Sequence, residues 1–118
     1  MSKYSFNKAS RLLSKDDFFY LSKGAKKILT PKLIFFYKPG LTNSNRVGLA
    51  FSRKVGNAVV RNVFKRIVRE EFRLKVIPNQ SAIYDVLVIG RHRKGSEVSK
   101  QEIRQSFSLF VKQLFIDL

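Results

Sequence analysis

The residues with most to offer chemically run from Arg53 to Lys75: Arg-Lys-Val-Gly-Asn-Ala-Val-Val-Arg-Asn-Val-Phe-Lys-Arg-Ile-Val-Arg-Glu-Glu-Phe-Arg-Leu-Lys. A helix turns roughly 100° per residue, so placing 57–75 on one sorts these side chains by face. Val60, Val63, Phe64, Ile67 and Leu74 gather on one side as a core stripe. Arg61, Asn62, Lys65, Arg66, Arg69 and Arg73 gather on the other. Asn62, the one neutral member, both donates and accepts hydrogen bonds. Like charges three and four residues apart oppose helix formation, whereas a solvated face ordinarily alternates signs. A cationic face of this purity reads as the footprint of a polyanion; a basic surface helix without a ligand is the plainer alternative.

Other chemistry finds little support. His92 is the only histidine, and its neighbours Arg91 and Arg93 favour a neutral, solvated imidazole with no orienting partner. The acidic pairs Asp16-Asp17 and Glu70-Glu71 are adjacent, and adjacent helical residues do not converge on one point. No Gly-rich phosphate loop, Ser/His/Asp set or metal-ligand spacing occurs. No catalytic residue and no metal ligand is therefore assigned, and the chain is not expected to catalyse a reaction alone. The absence of cysteine removes disulfides and thiolate chemistry and fits a reducing, cytoplasmic setting.

The length of 118 residues points to one domain, and a 44% hydrophobic content supports a core that buries roughly 60–70% of the unfolded surface. The net charge of +16 is unevenly spread: from Phe18 to Arg69 there is no acidic residue, while twelve Lys or Arg occur. Such self-repulsion favours a partner that supplies counter-charge, first nucleic acid and second an anionic membrane. Membrane binding needs a helix whose apolar face is free to insert, and here that face is assigned to the core. The start of the chain lacks the apolar region of a secretory signal, and the longest apolar run, Leu33 to Tyr37, is too short to span a bilayer.

The elements follow from pattern and punctuation. Residues 1–13 are basic and read as an extended arm. Ser14 with Asp17 suggests a capped helix start, Phe18, Leu21 and Phe19 offer an apolar side, and Gly24 suits the end. Lys32 to Lys38 alternates Leu33, Phe35, Tyr37 against Ile34, Phe36, Lys38, a strand pattern rich in aromatics. After turn signals at 39–45, Arg46 to Ser52 alternates Val47, Leu49, Phe51 with the small row Gly48, Ala50, Ser52. The short connection predicts an antiparallel hairpin between these two strands. Asn57 is a good N-cap for the basic helix. Asp85 to Gly90 is a nearly continuous apolar run, expected to be covered on both faces. Ser99 and Glu102 form a capping-box pattern before a helix with Ile103, Phe107, Phe110, Val111 and Leu114 at core spacing. The whole is an α+β sandwich with helices against one small sheet.

Basic groups beside aromatics point to RNA or single strands rather than duplex DNA, because phosphates pair with Lys and Arg while bases stack on rings. Phe18, Phe36 and Tyr37 are the aromatics in question, with plain core packing as the alternative for each.

The block Arg46-Val47-Gly48-Leu49, then Ser52-Arg53-Lys54-Val55-Gly56-Asn57-Ala58-Val59-Val60-Arg61-Asn62, with Lys65-Arg66, Arg69 and Phe72, resembles the bacterial ribonuclease P protein subunit. The likeness extends from Arg11-Leu12 and Asp17-Phe18 to Asp85 and the last helix. It implies an α-β-β-β-α-β-α order with a small mixed sheet and a left-handed β-α-β crossover, against the usual right-handed rule. It also implies a protein that binds a large catalytic RNA whose holoenzyme removes the 5′ leader of precursor tRNA. Mg2+ required by that holoenzyme is held mainly by the RNA. On this resemblance Arg53, Lys54, Asn57, Arg61, Asn62, Lys65, Arg66 and Arg69 contact the catalytic RNA, and Phe18 and Phe36 line a cleft for the leader. The family's pattern usually places an Arg where this chain has Val63, and a second cleft aromatic where it has Ser22. Phe19 or Tyr20 could substitute for the latter. The expected partners are the catalytic RNA and precursor tRNA, with no membrane and no DNA. A ribosomal or other structural RNA-binding protein explains charge and aromatics equally well, and only the specific block speaks against it.

Overall fold

A computed structural model describes Arg11 and residues 15–116. The elements run α1 (Lys15–Ser22), β1 (Lys26–Leu29), β2 (Leu33–Pro39), β3 (Arg46–Ala50), α2 (Ala58–Lys75), β4 (Tyr84–Gly90) and α3 (Lys100–Ile116). This is the α-β-β-β-α-β-α order that the resemblance implied. Most of the expected arm at 1–13, and the cap at Ser14, lie outside the described residues. Arg11 forms an isolated parallel bridge to Val47.

The sheet order is β1-β2-β4-β3, with β1–β2 and β2–β4 antiparallel and β3–β4 parallel. The hairpin expected between 32–38 and 46–52 does not form, because β4 lies between them. The connecting segment is fastened to the start of β4 instead. Gly40 N donates to Ile83 O, Leu41 N donates to Asp85 Oδ2, and Tyr84 N donates to Asn45 Oδ1. Asn45, a turn signal in the sequence, is a buried hub whose Nδ2 also donates to Val76 O and Asn79 O, tying the end of α2 to the sheet. The strand β1 was not evident from residue pattern, since Lys26-Lys27-Ile28-Leu29 is too short to show an alternation.

One face of the sheet carries Leu33, Phe35 and Tyr37 of β2, Val86 and Val88 of β4 and Val47 of β3 into the core cluster, where α2 and α3 supply Phe64, Ile67, Phe72, Ile103, Phe107 and Phe110. Phe35 stacks on Phe110 at 4.0 Å, and Tyr37 meets the same ring edge-on at 5.9 Å. Tyr37 is thus core rather than a platform for a base. Ser99 caps α3 through Glu102 N, but the Glu102 carboxylate pairs with Lys32 instead of closing a capping box.

The opposite face is only partly covered. Register places Lys27, Phe36, Leu87 and Gly48 in one cross-sheet row and Leu29, Ile34, Ile89 and Ala50 in the next. Hence β4 is not sealed on both sides: Val86 and Val88 are fully buried, Leu87 and Ile89 only half so. The helix α1 crosses this face and buries Leu21 there, outside the main core cluster.

Polar contacts hold α1 at both ends. At its start Asp17 pairs with Arg46 at 3.1 Å, so this carboxylate, expected to cap, reaches across to the sheet. Arg46 also grips the fully buried Asp85 with two bonds of 3.0 and 2.8 Å. The bond to Asp85 raises the Arg46 pKa above its ordinary value, against the opposing effect of desolvation. At the other end Lys38 Nζ donates to Tyr20 O and Lys23 O, supplying a cation where the helix dipole is negative, and lies 3.9 Å over the Tyr20 ring. Tyr20 Oη donates to Pro39 O. Gly24, at φ 74°, turns the chain from α1 into β1, a conformation open to glycine at little cost. No helix among the described residues is long and apolar enough to cross a membrane.

Candidate nucleic-acid interface

Asn57 begins α2 as expected, its Oδ1 accepting from Val60 N at 3.0 Å. The buried side chains of α2 are Phe64, Ile67, Val68, Glu71 and Phe72. This set is rotated from the expected stripe. Leu74 is 48% exposed, and Val60 and Val63 are half-buried at the margin. Val68 and Phe72, four residues apart, face inward and turn the Leu74 side to solvent. Arg61 comes to the edge of the core as a result, half-buried, and its Nε has no hydrogen-bond partner.

The outward face then centres on Asn62, Arg66 and Arg69, which with Val59 and Val63 line a shallow groove of about 470 Å3. Val63, standing where the family pattern has an arginine, forms part of the groove's apolar wall. Lys65 is half-buried beside this groove and does not line it. Arg53 and Lys54 are exposed on the turn leading into the helix. That turn packs against the end of β4: a Cβ added at Gly90 would lie 2.6 Å from Phe51 Cδ1 and 2.7 Å from Val55 Cγ2. Among the described residues, ion pairs form at Lys32, Arg46 and Lys75, and none engages Arg53, Lys54, Arg61, Lys65, Arg66 or Arg69. Of the two acidic residues of α2, Glu71 is buried and pairs with Lys75 at 3.0 Å, while Glu70, exposed and four residues after Arg66, forms no ion pair among the described residues.

On the other side of the sheet a cleft of about 360 Å3 opens between α1 and the strands. Phe18, Leu21 and Ser22 of α1, Gly24 and Ala25 of the turn, Phe36 of β2 and Leu87 and Ile89 of β4 line it. Phe18 and Phe36, the two positions that the family resemblance pairs, thus line the same cleft. Neither candidate replaces the second aromatic. Tyr20 is fixed on Pro39 and Lys38, and Phe19 is 60% exposed beneath Lys23. Ser22 remains the cleft residue at that position, its hydroxyl donating to Phe19 O.

His92 departs from expectation too. Its ring is half-buried and lies 5.3 Å from Phe64, with Nε2 3.2 Å from Ser96 O and Nδ1 without a partner. The imidazole thus packs the loop after β4 against α2.

A basic α+β sandwich with a cationic groove on a helix and an aromatic cleft on the far side of its sheet has the features of an RNA-binding protein. The ribonuclease P family model matches residues 6–114. Among solved structures, a Staphylococcus aureus RNase P protein shares 28% identity over 92% of this chain and 97% of its own, with a TM-score of 0.77. An RNase P protein from Thermotoga maritima shares 26% identity over 87% of this chain and 96% of its own, with a TM-score of 0.71. No curated protein sequence matches. The chain belongs to the ribonuclease P protein family. Members are the protein subunit of a ribonucleoprotein endoribonuclease: they assist removal of the precursor-tRNA 5′ leader, and catalysis lies with the RNA.

Proposed function

We propose that the α2 groove and the turn before it lie against the catalytic RNA, while the cleft under α1 holds the single-stranded leader. Arg53, Lys54, Arg61, Lys65, Arg66 and Arg69 neutralise crowded phosphates, and Asn62 hydrogen-bonds among them. Asn57 acts one step back, fixing the first turn of the helix that carries them. Phe18 and Phe36 offer rings to leader bases, each such stack contributing about 1–3 kcal/mol. The observation that carries this reading is the set of six cations, four on a helix whose opposite side is core and two on the turn before it, that have no carboxylate partner among the described residues.

The holoenzyme's Mg2+ belongs to the RNA in this reading. Neutralising phosphate near the reaction centre lets the RNA hold its metal ions at lower concentration. The setting is cytoplasmic, where precursor tRNA is available.

The test adds purified protein to the cognate catalytic RNA at low Mg2+. Cleavage of precursor tRNA rises on addition, and no gain overturns the reading. Changing Phe36 to Ala lowers affinity for leader-bearing tRNA and spares mature tRNA; equal loss for both removes the cleft assignment. A structural RNA-binding role without a catalytic partner predicts that the protein instead co-purifies with assembled ribosomal particles.

A further inference from the structure

The cleft has an aromatic floor and no charge of its own. Its lining residues are Phe18, Leu21, Ser22, Gly24, Ala25, Phe36, Leu87 and Ile89, none of them cationic. A single strand of RNA brings one phosphate per nucleotide, and a groove that tracks such a strand combines stacking with positive charge. The cation must therefore come from the rim.

Among the described residues, Lys27 and Lys38 share the face of the sheet that carries Phe36. Lys38 is committed elsewhere, since its ammonium donates to two carbonyls at the end of α1 and sits over Tyr20. Lys27 is not. It is exposed on β1, the edge strand, directly opposite Phe36 in the register, so both side chains rise from the same face of the sheet. Its Nζ lies 5.6 Å from the Phe36 ring centroid, near the outer limit of a cation–π contact. Among the described residues no carboxylate pairs with it. The charge is weakly held and free to swing towards an anion beside the ring.

We propose that Lys27 binds a backbone phosphate of the RNA strand whose base stacks on Phe36. This rests on the reading of the cleft as the leader site and adds the group that recognises the leader's charge there. The arrangement also suits a cleft that has Ser22 rather than a further aromatic beside Phe18 and Phe36: an ionic contact next to Phe36 strengthens the hold. Lys26 supplies an internal control. It neighbours Lys27 with the same charge and is also exposed, but it pairs with Tyr37 in the register and so rises from the opposite face.

The experiment uses the reconstituted holoenzyme. Dissociation constants for precursor tRNA and for mature tRNA are measured over a range of salt, with wild-type protein, Lys27→Gln, Lys27→Arg and Lys26→Gln. Lys27→Gln weakens precursor binding about two- to fivefold, the range for an exposed ion pair, and leaves mature tRNA unchanged. It also makes the salt dependence of precursor binding shallower by roughly 0.7 in log–log slope, one phosphate of a single strand. Lys27→Arg retains affinity and slope, and Lys26→Gln retains the leader preference. An unchanged slope, an equal loss for both tRNAs, or the same loss in Lys26→Gln overturns the proposal. If wild-type protein itself confers no preference for leader-bearing tRNA, the reading of the cleft fails first, and the Lys27 assignment fails with it.

Discussion

Replacing Arg66 and Arg69 together by alanine probes the groove most directly, since both line it and both are exposed. Six cations on α2 and the preceding turn lack a carboxylate partner among the described residues. If each neutralises one phosphate, log affinity for the catalytic RNA falls against log salt with a slope of roughly −4 to −5.5. The double variant removes two of the six, so its slope is shallower by roughly 1.4–1.8. Lys75→Ala is the matched control. Its ammonium is already engaged by Glu71 at 3.0 Å and Ser108 at 2.9 Å, so removing it leaves the slope in place. Filter binding or fluorescence anisotropy from about 50 to 200 mM salt covers a range in which six phosphate contacts change affinity by roughly three orders of magnitude. A double variant that binds more weakly with an unaltered slope refutes the reasoning, because the arginines then act through the fold. A wild-type slope near zero refutes the larger claim that phosphates dominate this face.

Three further perturbations address the elements that shape the cleft. Arg46→Ala strands the fully buried Asp85 carboxylate, and destabilises the protein by about 3–5 kcal/mol, a fall of about 10–20 °C in melting temperature. Arg46→Met combined with Asp85→Leu recovers at least half of that loss, and thermal unfolding checks both. Lys38→Met deletes the donors at the end of α1, so amide exchange across residues 15–22 accelerates about 5- to 30-fold while the α2 core amides keep their protection; uniform exchange in the variant contradicts the clamp. Ser22→Phe restores a second aromatic to the cleft wall and raises holoenzyme affinity for leader-bearing tRNA at least about fivefold, the worth of one added stack; equal gain for mature tRNA rules this out.

Much of this arrangement is legible in the chain itself, because each legible part has a local cause. Asn57 followed by an amphipathic run marks α2, and the alternation from Leu33 to Lys38 separates the core row from the open row. What sequence pattern missed depends on partners distant along the chain. A six-residue loop permits a hairpin between β2 and β3 but does not choose their neighbours; the Arg46–Asp85 pair and the Asn45 hub do, across 39 residues. There was a signal for the first. An aspartate opening an apolar strand cannot be buried without a cation, and Arg46 opens the strand beside it. Leu74 departs from the expected stripe because period alone cannot say how far a helix is rolled; Val68 and Phe72, packed inward, decide that. The crossover between the parallel strands β3 and β4 came from the family resemblance and from no pattern within the residues.

The division of labour between the two faces of the sheet explains how so small a chain keeps an aromatic cleft open. Among the described residues, the main buried cluster is built from α2, α3, the strand rows facing them, and Phe51, Val55 and Val76 of the adjoining turns, and Leu21 of α1 is not in it. Hydrophobic stabilisation is thus concentrated on one side, where the sheet and two long helices seal the rings from water. On the other side α1 is held chiefly by directional contacts: an ion pair at its first turn, two donors at its last, and a tyrosine hydroxyl on Pro39. Such contacts fix position without requiring the helix to cover the surface beneath it. Phe36, Leu87 and Ile89 can therefore stay half-exposed under α1 with little loss of stability, and the polar fastenings, rather than the core, set the gap between Phe18 and Phe36.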